Sequence, residues 1–249
     1  MDILQFLIIF ILGSILGSFY SLLIYRLPRG MSVISPPSHC TACGKPIRWY
    51  DNIPIISYIW LRGKCRYCGS KISIRYPLVE AFSGFLFVVC FLKFKEPFMA
   101  VLFFVFFSIL LVASLIDWDT FTLPDSLTLG GFLLGLLSSL FRQDLGPKES
   151  LLSALVGSGV FLLIYLYYTK IRGIEGLGFG DIKLMAFIGS AFGMWGVLYA
   201  VFLGSLFGLL YAFPLIIKNR TMQFALPYGP FLSLGAFVGI SLNLKEFIL

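Results

Sequence analysis

Uncharged stretches long enough to enter a bilayer constrain this chain more than any other feature: Ile3 to Tyr25, Pro97 to Ile116, Ser126 to Phe141, Ser150 to Thr169 and Thr221 to Leu244. A helix needs about 20 apolar residues to cross the hydrocarbon, where each backbone polar group must be bonded within its own segment. A further segment, Tyr76 to Leu92, carries only Glu80 near its start. Leu184 to Ile217 is too long for one ordinary crossing, and Gly193-Met-Trp-Gly196 is its natural break. The expected fold is an all-α polytopic membrane protein of about eight membrane segments, with a small cytoplasmic zinc-ribbon-like insertion. Its composition, 59% hydrophobic and 12% charged, lies far from the soluble average of about 25% charged.

Lys and Arg give the orientation, because cytoplasmic loops retain them. One side gathers 14 of the 19, from Arg26 through Arg75 and again at Lys170, Arg172, Lys183, Lys218 and Arg220. That bias places the amino terminus outside. The net charge of +7 is interspersed with apolar runs and has no recognition motif beside it, so nucleic acid is not an expected partner. Nothing basic precedes Arg26, so the first segment reads as a retained helix rather than a signal peptide. Gly13, Ser14, Gly17 and Ser18 put small residues on one face of it, a pattern that permits close helix packing. The expected organisation is residues 1–25 as the first transmembrane helix, 26–75 as a cytoplasmic four-cysteine module and 76–249 as a catalytic bundle.

Within residues 26–75 stand Cys40-Thr-Ala-Cys43 and Cys65-Arg-Tyr-Cys68, each followed by Gly and separated by 21 residues. Two such hooks deliver four thiolates to one tetrahedral ion, the pattern of a zinc ribbon. Two disulfides are the alternative and would require an oxidising compartment. The positive-inside count puts the segment in the reducing cytoplasm, so Cys40, Cys43, Cys65 and Cys68 are expected to hold a structural zinc. His39 reads as a solvated neighbour, and Cys90 as a small hydrophobe.

Six acids fall at or near predicted cytoplasmic boundaries: Glu80, Asp117, Asp119, Asp125, Glu175 and Asp181. Asp125 follows Pro124 at a helix start, where capping is the default, and Asp119 flanks the interfacial Trp118. Asp117 closes one apolar helix and Asp181 opens another, after Gly178-Phe-Gly180. An ionised carboxylate at such a place costs a few kcal/mol and marks function by default. Helix polarity disfavours negative charge on Asp117 and favours it on Asp181. Two carboxyls sharing a site hold one proton between them, the arrangement of an aspartic protease. On this reading Asp181 is the base and Asp117 the acid, although protons in such a dyad belong to the pair.

These residues resemble the type IV prepilin peptidases, the leader peptidases of pilus, competence and type II secretion systems. The likeness covers nearly the whole chain: Gly17-Ser-Phe19 with Tyr25-Arg-Leu-Pro28, the paired cysteine hooks, Arg75-Tyr-Pro-Leu-Val-Glu80, Ile116-Asp-Trp-Asp119 with Leu123-Pro-Asp125, Glu175-Gly-Leu-Gly-Phe-Gly-Asp-Ile-Lys183, and Pro227-Tyr-Gly-Pro230. The resemblance implies a membrane aspartic protease of the bacterial inner membrane that removes the basic leader of prepilins or pseudopilins at the cytoplasmic face. It carries the catalytic roles to Asp117 and Asp181, and makes Glu80, Glu175 and Lys183 candidates for binding or orienting substrate. Many members also methylate the new amino-terminal residue with S-adenosylmethionine, for which no position is assigned here. Ser21 stands where the family commonly has Asn.

Two other readings use the same acids. A proton-coupled transporter also keeps carboxylates at membrane depth, beside broken helices, but these acids gather at one face and no inverted repeat is evident. An assembly scaffold would need the zinc and not both aspartates.

Overall fold

The computed structural model describes residues 2–173, 177–219 and 225–242. The chain divides into two compact units, Met1–Ser108 and Ile109–Leu249. In the first, helix α1 (Ile3–Arg26) lies antiparallel to α3 (Arg75–Lys93). Small residues set the spacing: a Cβ on Gly13 would stand 2.8 Å from the Ser83 carbonyl oxygen, and one on Gly17 2.8 Å from Glu80 Cα. Without side chains there, the Ser83 hydroxyl reaches the Gly13 carbonyl at 2.8 Å, as small-residue interfaces in membranes allow. The first part of α4 (Pro97–Thr120) adds aromatic packing, with Phe104 stacked on Phe87 at 4.1 Å between centroids.

Between α1 and α3 the chain forms the cysteine module. Buried Arg26 closes the exit from α1 by donating to the carbonyls of Ser32 and Pro36. Each hook then repeats one local design. Cys40 N–H donates to Lys45 O and Gly44 N–H to Cys40 O; Cys65 N–H donates to Ser70 O and Gly69 N–H to Cys65 O. Gly44 and Gly69 both sit at φ 70°, where a Cβ would be strained. A short helix, α2 (Ile56–Trp60), separates the hooks.

In the second unit, helix α7 (Phe179–Asn219) packs against α5 (Asp125–Ser138), α6 (Pro147–Leu166) and α8 (Gly229–Ser241). The expected break occurs at Gly193, whose φ of 69° and ψ of −166° divide α7 into residues 179–192 and 194–219. A break strands the carbonyls of the turn before it. Here the Ser150 hydroxyl donates to Ser190 O at 2.8 Å and the Arg142 guanidinium to Ala191 O at 2.6 Å, so the interruption costs no unpaired acceptor at these two positions.

Among the described residues, five helices are long and apolar enough to cross a membrane: Ile3–Arg29, Arg75–Lys93, Pro97–Thr120, Pro147–Arg172 and Phe179–Lys218. The apolar helices α5 and α8 have 14 and 13 residues, and at about 1.5 Å per residue each falls short of the roughly 30 Å hydrocarbon. The all-helical membrane architecture is as expected, but eight full crossings are not established.

Candidate active site

Asp117 occupies the last turn of α4 and Asp181 the first turn of α7, and both are buried, at 6% and 7% exposure. They face one cavity of about 340 Å³, which they share with Phe121, Leu123, Lys183 and Tyr228 among others.

The local chain explains each position. Asp181 is the third residue of α7, and its carboxylate accepts a hydrogen bond from the Gly178 backbone. This is half of a capping box, and a bare cap could sit in solvent, whereas this one is buried against the cavity. The glycines before it provide room rather than unusual dihedrals. A Cβ on Gly178 would stand 3.3 Å from Asp181 Oδ2, and one on Gly180 3.0 Å from Leu123 Cβ; neither glycine has positive φ.

Asp117 Oδ2 accepts the backbone N–H of Gly229 at 3.1 Å. Gly229 is the first residue of α8, so Asp117 faces the free amides and positive end of that helix. Helix polarity therefore does not separate the two aspartates as expected: each carboxylate meets a helix amino terminus. Gly229 itself must be small, because a Cβ would lie 2.8 Å from Asp117 Oδ2. Just past α4, Phe121 adopts φ 53° at the cavity rim, a conformation uncommon for a bulky residue and frequent at functional sites.

Of the other candidates, Lys183 lines the cavity and pairs with the Asp125 carboxylate. Its ammonium also lies 5.1 Å from the Phe179 ring centre. Asp125 makes no capping bond; it joins the start of α5 to the start of α7 through that ion pair. Asp119 is exposed, and Glu175 lies outside the described residues. Glu80 belongs to the first unit, where its carboxylate accepts the Ile55 backbone N–H at 2.7 Å and the Ser18 hydroxyl. Gly229 and Tyr228 were visible in the sequence as part of Pro227-Tyr-Gly-Pro230, and Pro230 early in a helix was a start signal. Their role depends on a contact across 112 positions that no local pattern reveals.

The four cysteine sulfurs lie within 4.8 Å of one another, with Cys40 and Cys68 Sγ 3.8 Å apart. Zn–S bonds of about 2.3 Å put tetrahedral sulfurs about 3.8 Å apart, so the cluster fits a zinc ion, and none of the four is in a disulfide. Cys40 is held down to about 6, chiefly by the Cys43 backbone amide and then the Ser70 hydroxyl. For Cys43 a backbone amide at Lys45 favours the thiolate, yet desolvation and the adjoining Cys40 and Cys68 thiols push it up to about 11. Crowded thiols that oppose one another's ionisation are what a divalent cation reconciles. His39 bonds through Nδ1 to Pro37 O, outside the cluster.

Residues 11–94 match the bacterial peptidase A24 N-terminal domain, and residues 104–213 match the type IV leader peptidase family. The chain is 34% identical to a prepilin leader peptidase/N-methyltransferase of Pseudomonas putida over 92% of its own length and 88% of the relative. It is 33% identical to one from Neisseria gonorrhoeae over 94% and 89%, and 38% identical to one from Myxococcus xanthus over 78% and 58%. No solved structure matches the chain.

Proposed function

We infer that this chain, which belongs to the type IV leader peptidase family, is a membrane aspartic endopeptidase that removes the basic leader from type IV prepilins and pilin-like proteins. Asp117 and Asp181 form its catalytic pair. The enzyme sits in the bacterial inner membrane with its site toward the cytoplasm, where the basic leader remains. The observation that carries this reading is the burial of both carboxylates against one cavity, each beside a helix amino terminus.

With one proton shared by the pair, the ionised carboxylate takes a proton from a water as that water attacks the scissile carbonyl carbon. The protonated partner donates to the carbonyl oxygen as negative charge builds there. The proton gained from water then passes to the departing amine as the C–N bond breaks, the hydroxyl formed from the carbonyl oxygen returns its proton to the second carboxylate as the new carboxyl forms, and the pair regains its starting charge. The amides at the starts of α7 and α8 favour the negative charge that the pair must carry in a largely apolar protein. Replacing either acid by Asn keeps its size and removes its proton chemistry. Asp117→Asn and Asp181→Asn are each expected to cut cleavage of a purified prepilin at least about 10³-fold while the protein stays folded by circular dichroism. Substantial activity in either variant would remove that residue from the mechanism.

The chain is further proposed to methylate the new amino terminus with S-adenosylmethionine, as the relatives' names support. Among the described residues, the cavity offers no acid apart from Asp117 and Asp181 to hold a ribose, so the residues described do not fit that cofactor. Zinc held by Cys40, Cys43, Cys65 and Cys68 would supply folding energy to a segment too short to build its own core.

A further inference from the structure

Helix α2 is a short amphipathic element whose apolar face is left exposed by the described residues. Ser57 is buried and donates to the Tyr50 carbonyl. Ile56, Ile59 and Trp60 share the other side at helical spacing, and are 62%, 68% and 78% exposed. Three large apolar side chains on one exposed face call for a covering partner.

The hydrogen bond that holds α2 in place indicates which partner. Ile55, immediately before α2, donates its N–H to Glu80 Oε2. Glu80 lies five residues into α3, a membrane-crossing candidate that begins at Arg75, which is about 7.5 Å along the helix axis. Its carboxylate is buried at 8% exposure, with Ser18 of α1 as a second donor. Ile55 accepts a φ of 63°, strained for a β-branched residue, in making this bond. The start of α2 is thus pinned beside the first turns of α3, which is interfacial depth where that candidate span enters a bilayer. Tryptophan and isoleucine at that depth match the interface, where an amphipathic ring sits among headgroups. Arg62 and Lys64 follow directly, as cations that suit phosphate headgroups.

We propose that α2 is an interfacial anchor: Ile56, Ile59 and Trp60 embed in the phospholipid leaflet, and the Glu80–Ile55 bond fixes the cysteine module to the membrane surface in one orientation. The module is then held at three points, by the ends of α1 and α3 and by lipid contact.

The test uses the full chain with Trp60 as its only tryptophan (Trp49→Phe, Trp118→Phe, Trp195→Phe), reconstituted in phospholipid vesicles without prepilin. Zinc content serves as the check that the module is folded. Lipids brominated high on the acyl chain are expected to quench Trp60, those brominated near the chain end to quench it less, and aqueous acrylamide to quench it weakly. Glu80→Ala is expected to reduce the lipid quenching, and Glu80→Gln, which keeps an acceptor for Ile55, to preserve it. Strong acrylamide quenching without lipid quenching would overturn the proposal, as would shielding that develops only when prepilin is added. Unchanged lipid quenching in a zinc-loaded Glu80→Ala protein would overturn the role given to Glu80.

Discussion

A carboxylate at the end of a helix faces that helix's own carbonyls, and Asp117 is accommodated because a second helix presents an amide to it. The sequence marks Asp117 and Asp181 clearly, as charges misplaced in apolar runs. Gly229 is not marked, since its contribution is one main-chain N–H and the absence of a Cβ. Gly229→Ala would place a methyl 2.8 Å from Asp117 Oδ2 and force the carboxylate to move. Displacements approaching 1 Å at a reacting group cost up to about 10²-fold in rate, so a fall of that order in prepilin cleavage is expected, with thermal stability measured in parallel to exclude unfolding. The glycines at 178 and 180 suggest backbone freedom by sequence logic; the structure assigns them to the space beside Asp181 and Leu123.

At the scale of elements, small residues do two jobs that the sequence shows unequally. The Gly13–Ser18 face reads directly from its spacing, and it packs on α3 as expected. Gly17→Val would drive two methyls toward Glu80 and Ser83; overpacking of this kind costs about 1–3 kcal/mol, which should register as a lower melting temperature in detergent. The break in α7 is also legible, from a run too long for one helix, but the reason it is tolerated is not. Arg142 and Ser150 satisfy the freed carbonyls from outside α7, and neither lies in a pattern that points to residues 190 and 191. Asp125 shows the reverse error: its place at a helix start suggests a cap, and the side chain instead reaches Lys183.

For the whole molecule, the four-cysteine cluster was the most legible part, because residue type and spacing suffice to define it. Purified protein is expected to contain near-stoichiometric zinc by elemental analysis, and Cys65→Ser to lose it. Acid should release the metal as well, because protons compete for the thiolates. Cys40 is depressed from the ordinary thiol range to about 6, so the stability it contributes is present above that range and is lost as pH falls through about 6. Bound zinc favours the thiolates further, so zinc release followed by a colorimetric chelator should rise only as pH falls below that value. The proposed active site, by contrast, is assembled from parts that the chain supplies far apart: Asp117, then Asp181, then the amide of residue 229. Both aspartates therefore precede in the chain the residue that supplies the amide. A chain halted ahead of α8 would carry the complete acid pair without the amide that steadies it, and such a truncation, even when stably inserted, is expected to be inactive toward prepilin. On that expectation the order of translation itself would withhold proteolysis from half-made enzyme.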